Sequence, residues 1–209
     1  MKKFKIIDLS KESNQKTVRT YNIDFRGLDD SVTINQIKMI DSITKTDCAI
    51  SATLTTGRTI TVKYDGTSES NIFRTGNLSV ISIKGRNISL ERFVMICNDI
   101  VNKTIPQCCY KQSLVCNVKD NSSSLEFIRK HNMVTNLRPD NLEWCSNEQN
   151  KKHYSILKEI LHITGHLYRI SAHDKYLAEL FSMRSTFSKQ DFKEKLLNFL
   201  DNNNCERVK

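Results

Sequence analysis

Three side chains have types and spacing that could do chemistry: Asn141, Asn150 and His131. Asn141 closes the turn Arg138-Pro139-Asp140-Asn141, and Asn150 stands nine positions further on. Between them run Leu142-Glu143-Trp144-Cys145-Ser146, which reads as a short aromatic strand, and the first residues of a helix. That spacing joins a loop to a helix at one point in space. Each Asn also has a plainer explanation: Pro139-Asp140-Asn141 favours a tight turn in any protein, and Asn150 fits an exposed polar position of a helix. An amide has no lone pair basic enough to take a proton at neutral pH, so a general base must come from elsewhere. His131, ten positions before Asn141, carries an imidazole that titrates in that range.

The cysteines offer a second chemistry. There are seven (Cys48, Cys97, Cys108, Cys109, Cys116, Cys145 and Cys205), an odd number with no secretory segment, which argues for reduced thiols. No Cys-x-x-Cys or Cys-x-x-His pair forms a ligand knuckle, so structural zinc is not expected and the thiols read as ordinary buried groups. Net charge is +9, from 32 Lys and Arg against 23 Asp and Glu. Such a balance favours a polyanion partner, because each cation that neutralises a phosphate releases a condensed counterion. Apolar runs fall far short of a membrane span. The opening Met1-Lys2-Lys3-Phe4-Lys5-Ile6-Ile7 meets Asp8 before any signal-peptide core. The expectation is a cytoplasmic protein with no membrane partner, not secreted.

The 209 residues, with two prolines and six glycines, suit an ordered α+β protein. Phe4-Lys5-Ile6-Ile7 is a short strand candidate, and Thr17 to Tyr64 alternates and is rich in Thr, Ile and Val. Ala49–Leu54 and Thr59–Tyr64 flank Thr55-Thr56-Gly57-Arg58 and predict a hairpin. A second hairpin is predicted from Leu78–Ile83 and Ile88–Leu90 around Lys84-Gly85-Arg86-Asn87. Leu90, Phe93, Val94, Cys97 and Val101 then keep a helical period. Three further helices are predicted, over Tyr154–Ile170, over His173–Met183 and after the cap-like Ser188-Lys189-Gln190-Asp191. The division expected is a β-rich region over 1–70, a core with its preceding strand and helix over 71–154, and an α-helical subdomain over 155–209.

The stretch from Asn141 to His153 resembles the second half of the ββα-metal site of HNH endonucleases, especially the phage and intron-encoded homing type. Those proteins typically read N-L-E-W-C/V-T/S-x-x-E/x-N-x-x-H here. Upstream, Gly85-Arg86-Asn87-Ile88-Ser89-Leu90-Glu91-Arg92-Phe93-Val94-Met95 resembles the G-K-x-I-S-L-H-R-F/L-I-M that precedes that core, with Glu91 where the family has His. The resemblance spans about residues 80–154 and implies a central ββα core. In such a site a His deprotonates water, while an Asp beside it and an Asn or His on the helix hold one divalent cation. A loop Asn orients the His by accepting from its other ring nitrogen. By the match Asn141 is the loop Asn and Asn150 the helix metal ligand, with Mg²⁺ or Mn²⁺ implied if the site is active and no cofactor otherwise.

The first half, roughly V-D/N-H-I-D/N-G-N, has two registers here. Val115-Cys116-Asn117-Val118-Lys119-Asp120-Asn121 matches best in text, but it sets Cys116 at the metal-binding position and Asn117 at the base, 24 positions before Asn141. The rival, Lys130-His131, supplies a base yet places a cation where an anionic ligand belongs. Asp120 folding back as a ligand is a further alternative.

Three functions follow as expectations. The first is a sequence-specific double-stranded DNA-binding protein derived from an HNH homing endonuclease, its chemistry lost or impaired, acting as a regulator or interference factor. The second is an active metal-dependent endonuclease with His131 as base and Asn150 as ligand. The third is a protein-interaction module with a vestigial motif. Expected DNA contacts are Lys84, Arg86, Arg92, Arg129, Lys130, Arg138, Lys151 and Lys152. A β-sheet carrying Lys45, Arg58 and Lys63 could also lie in the major groove, and the C-terminal helices are the candidate face for a homodimer. If the phage resemblance holds, the compartment is the cytoplasm of a bacterial host.

Overall fold

The computed structural model describes residues 5–8, 19–24, 37–66, 72–75, 78–83, 85–102, 114–120 and 136–208. Lys84, Arg129, Lys130 and His131 lie outside the described residues. The architecture is mixed α+β.

The alternating N-terminal stretch forms a five-stranded antiparallel meander in chain order: β1 (Lys5–Asp8), β2 (Arg19–Asp24), β3 (Ile40–Lys45), β4 (Ala49–Leu54) and β5 (Thr59–Lys63). Period-two alternation sends Tyr21, Ile43, Ile50, Ala52, Ile60 and Val62 to one face, where each is buried. The β4–β5 turn closes through Gly57 at φ +80°, a conformation that a Cβ would strain. At Asp41 the β3–β4 register shifts by a bulge between Ile40 and Ser42.

A second antiparallel sheet joins β6 (Ile72–Thr75), β7 (Leu78–Ile83) and β8 (Arg86–Ser89). It leads directly into α1 (Leu90–Val101), whose first turn is capped by the Ser89 hydroxyl accepting from the Arg92 N–H at 3.4 Å. A third, two-stranded sheet pairs β9 (Leu114–Val118) with β10 (Leu142–Ser146). One continuous core runs from Tyr21 through α1 to Val118, Leu142 and Trp144, with Phe93, Val94 and Ile100 of α1 at its centre.

Helix α2 (Asn147–Thr164) begins immediately after β10. The helix predicted over Tyr154–Ile170 is therefore displaced at both ends. A capping box between Ser146 and Gln149 starts it early, and Gly165 at φ +74° stops it. The expected 154/155 boundary falls inside this helix. Beyond it lie β11 (Tyr168–Arg169), α3 (Lys175–Ser182), α4 (Lys189–Asn202) and β12 (Glu206–Arg207), the last paired with β11. Their separate core gathers Ile156, Leu157, Ile160, Leu177, Leu196 and Phe199. Among the described residues no helix is long and apolar enough to cross a membrane.

Candidate functional site

The first strand facing β10 is the segment around Cys116 and Asn117. Register sets Glu143 opposite Asn117 and Trp144 opposite Cys116. Because strand side chains alternate, the two pairs face opposite ways. Cys116, Val118, Leu142 and Trp144 pack toward the α1 core, and the Trp144 Nε1–H donates to Asp99 Oδ2 on α1 at 2.9 Å. Asn117 and Glu143 face the other way, toward α2 and the chain that follows it.

On that side the polar groups answer one another. Glu143 Oε1 accepts from Asn117 Nδ2 at 2.8 Å and from the Ala172 N–H at 2.5 Å, while Oε2 accepts from Ser171 Oγ at 2.6 Å. Ala172 and Ser171 belong to a strap, Arg169–His173, that returns across the hairpin between β11 and α3. Arg169 bonds the carbonyl and carboxylate of Asp140 and pairs with Glu206 at 3.1 Å. The Ile170 N–H donates to the Lys119 carbonyl at 3.1 Å.

His153, one turn after Asn150 on α2, donates from Nε2 to the Ile170 carbonyl at 2.7 Å. Burial holds its pKa below the usual imidazole value, against an opposing backbone hydrogen bond and the nearby Glu143 and Asp120 carboxylates. His173 closes a smaller ring. Its Nε2 donates to the Trp144 carbonyl at 2.9 Å, and its Nδ1 accepts from Gln149 Nε2 at 3.2 Å. Gln149 Oε1 in turn accepts from the Ser146 N–H. The carbonyl acceptor fixes each ring as the Nε2–H tautomer.

Asn141 is fully buried at the loop. Its carbonyl accepts from the Lys119 N–H, its Nδ2 donates to the Asn136 carbonyl at 2.8 Å, and its Oδ1 has no partner among the described residues. An unanswered buried acceptor costs about 1–3 kcal/mol. Asn150 is half-buried on α2, one turn before His153 and so on the helix side that meets the hairpin.

A divalent cation of the Mg²⁺ type takes oxygen ligands in near-octahedral array, and the described residues do not fit one. Cys116 occupies the position beside Asn117, faces α1, and has its thiol pushed well above the usual range, first by burial and then by the Glu91 carboxylate. Glu143 already accepts three hydrogen bonds. Among the described residues, no group of three His, Cys, Asp or Glu stands where it could hold a metal.

The expected DNA contacts divide by environment. Lys151 and Lys152 are exposed on α2, and Arg86 is exposed at the start of β8. Arg92 is half-buried, donating from NH1 to the Leu114 carbonyl at 2.8 Å and lying 5.4 Å over the Trp144 ring. Arg138 is exposed, but it donates to the Asp47 carbonyl at 3.3 Å and lies 6.0 Å over the Tyr64 ring. The sheet cations do not form a row: Lys45 turns to the α1 side and donates to Asn98 Oδ1 at 3.1 Å, and Arg58 donates to the Ser82 carbonyl.

Sequence reasoning missed Ser171, Ala172 and His173, and gave Glu143 and His153 no role. The Ser146-x-x-Gln149 spacing was a readable sign of the α2 start; no local pattern announces the strap. Comparison with known proteins finds no match: no protein family, curated protein or solved structure aligns with the chain.

Proposed function

We propose that this chain is a sequence-specific double-stranded DNA-binding protein built on an HNH-like hairpin and helix, with the nuclease chemistry lost, acting as a regulator or interference factor. One observation carries the reading: Asn117 is the residue of β9 that stands opposite Glu143 and is bonded to it. In the register of that strand pairing the base position holds an amide, which cannot take a proton from water. The neighbouring metal-ligand position holds Cys116, a half-buried thiol that packs toward the α1 core. Binding is supported by the net charge of +9 and by the exposed cations Arg86, Lys151 and Lys152.

A second reading, an active metal-dependent endonuclease, has one observation in its favour. The buried Asn141 Oδ1 is without a partner among the described residues, and an Asn at that position would orient a histidine through this atom. His131 is the histidine that reading would use.

The test is incubation of the protein with supercoiled plasmid and phage genomic DNA in Mg²⁺ or Mn²⁺, read for nicking and for a mobility shift. His131→Ala and Asn150→Ala proteins run beside it. The proposal expects a salt-sensitive shift in all three proteins and cleavage in none. Nicking by the wild type that both substitutions abolish would overturn it and establish the second reading.

A further inference from the structure

A cleft of about 370 Å³ opens where the first turns of α2 face the strap and the start of α3. Its apolar wall is Ile156, Ala172, Leu177 and Ala178, and His153 lines it as well. His153 is only 4% exposed. Its Nε2–H is committed to the Ile170 carbonyl at 2.7 Å, so Nδ1 carries the ring's lone pair. That lone pair has no hydrogen-bond partner among the described residues. Nor is it sealed in: among the described residues, the fully buried side-chain polar atoms without a partner are the Tyr64 hydroxyl and Asn141 Oδ1. Nδ1 is therefore an unanswered acceptor that opens on the cleft. Other polar side chains of the wall are engaged, Ser171 with Glu143, and His173 with Gln149 and the Trp144 carbonyl.

Three features restrict what fits. An unpartnered acceptor calls for a donor, and burial holds the ring neutral, so it offers nothing to a phosphate or carboxylate oxygen. The apolar wall suits the face of a ring. Lys152 and Lys175 stand exposed at the mouth. Of the two acids there, Asp174 accepts from the Leu177 N–H as the cap of α3, which leaves Glu148 against two cations. A ligand that answers all three features has an N–H donor on one edge, a flat body and an anion at its far end. A bare phosphate or an alkyl chain answers one of the three. The volume lies toward the lower end of the roughly 300–1,000 Å³ of small-molecule sites, which suits one compact ligand.

We propose that this cleft binds a nucleotide, its base edge donating to His153 Nδ1 and its phosphate held by Lys152 and Lys175. The same chemistry comes from a free nucleotide or from an unpaired base of a DNA strand. Only the second source rests on the DNA-binding reading.

The experiment is calorimetric titration of the full chain with the four deoxynucleoside monophosphates, their nucleosides and inorganic phosphate. It is run on wild type, His153→Gln, Lys175→Glu and Lys193→Glu, the last an exposed cation of α4 outside the cleft. At least one monophosphate is expected to bind once per chain, its nucleoside several-fold more weakly and phosphate alone not at all. His153→Gln weakens monophosphate and nucleoside alike by about tenfold. Lys175→Glu weakens the monophosphate alone, by about fivefold, and Lys193→Glu changes neither. In the wild type, binding moves the nitrogen resonance of His153 Nδ1 and leaves that of Nε2 in place, a readout that needs no substituted protein to fold.

Failure of every monophosphate to bind overturns the proposal. So does binding that inorganic phosphate matches, binding that His153→Gln leaves unchanged, or binding that leaves the Nδ1 resonance where it was. A single-stranded oligonucleotide that displaces the bound monophosphate assigns the cleft to a base in a strand; one that does not assigns it to the free nucleotide, and either result upholds the site. Monophosphate binding without any mobility shift of duplex DNA keeps this site and removes the DNA-binding reading.

Discussion

Two polar regions of this protein use the same kinds of group in opposite ways. Where the strap crosses the β9–β10 hairpin, Asn117, Glu143, Ser171 and His153 bond one another or backbone. On the open sheet face, the hydroxyls of Thr20 and Thr44, and those of Ser51 and Thr61, bond side by side while staying partly open to solvent. The difference is burial. A polar group removed from water must be answered inside the chain or lose about 1–3 kcal/mol, whereas one at the surface is answered by solvent until something displaces it. A polar cluster at a site that resembles an active centre is therefore not a sign of activity by itself; what matters is which of its atoms are still free.

The largest effect that would break this contrast is at Glu143. Glu143→Ala leaves the Asn117 amide, the Ala172 N–H and the Ser171 hydroxyl unanswered, and a destabilisation of about 3 kcal/mol is expected in urea unfolding. A change under about 1 kcal/mol would show that the strap is not held through this carboxylate.

His153 sharpens the contrast through pH. Its folded pKa is depressed, so its stabilising contribution is complete above the unfolded value near 6.5 and is lost as pH falls through the lower folded value. Glu91 runs the other way: burial raises its pKa, so its contribution is complete below 4.5 and declines as pH rises from there. Subtracting the stability–pH curve of His153→Gln from that of wild type isolates the histidine. The difference is expected to shrink on acidification below 6.5, and a flat difference would contradict the buried neutral ring.

Smaller still is Trp144→Phe, which removes the donor to Asp99 and keeps most of the ring packing. About 1 kcal/mol is expected in the same unfolding assay. The smallest is Ser51→Ala on the open face, within about 0.5 kcal/mol by thermal melt of the monomer, because solvent can replace what the hydroxyl did for Thr61. A loss several times larger would mean that the face belongs to a polar lock like the one under the strap.

Much of this was legible in the residues. The hairpin around Gly57 and the α1 helix from Leu90 to Val101 appear where alternation and helical period put them, because both patterns are local. The strand–helix order after Asn141 was equally plain. What was missed is that the helix carrying Asn150 and the helix predicted from Tyr154 are one, because its apolar face begins only at Ile156 while α2 begins at its capping box. That Leu114–Val118 pairs with β10 was not legible, because the pairing depends on which segment buries Val118 and Cys116 against α1.

By itself the sequence determined composition, charge and period, and with them an α+β chain with basic surface and a turn–strand–helix unit at Asn141. These follow from nearest-neighbour chemistry, which acts within a few residues. Only the tertiary structure decided that Asn117 meets Glu143 across 26 positions and that Ser171 and Ala172 return to the same carboxylate. It also decided that Thr20 and Thr61 lie in one row. Those meetings depend on how the strands register and how α2 and the chain after it pack, and no local pattern records either.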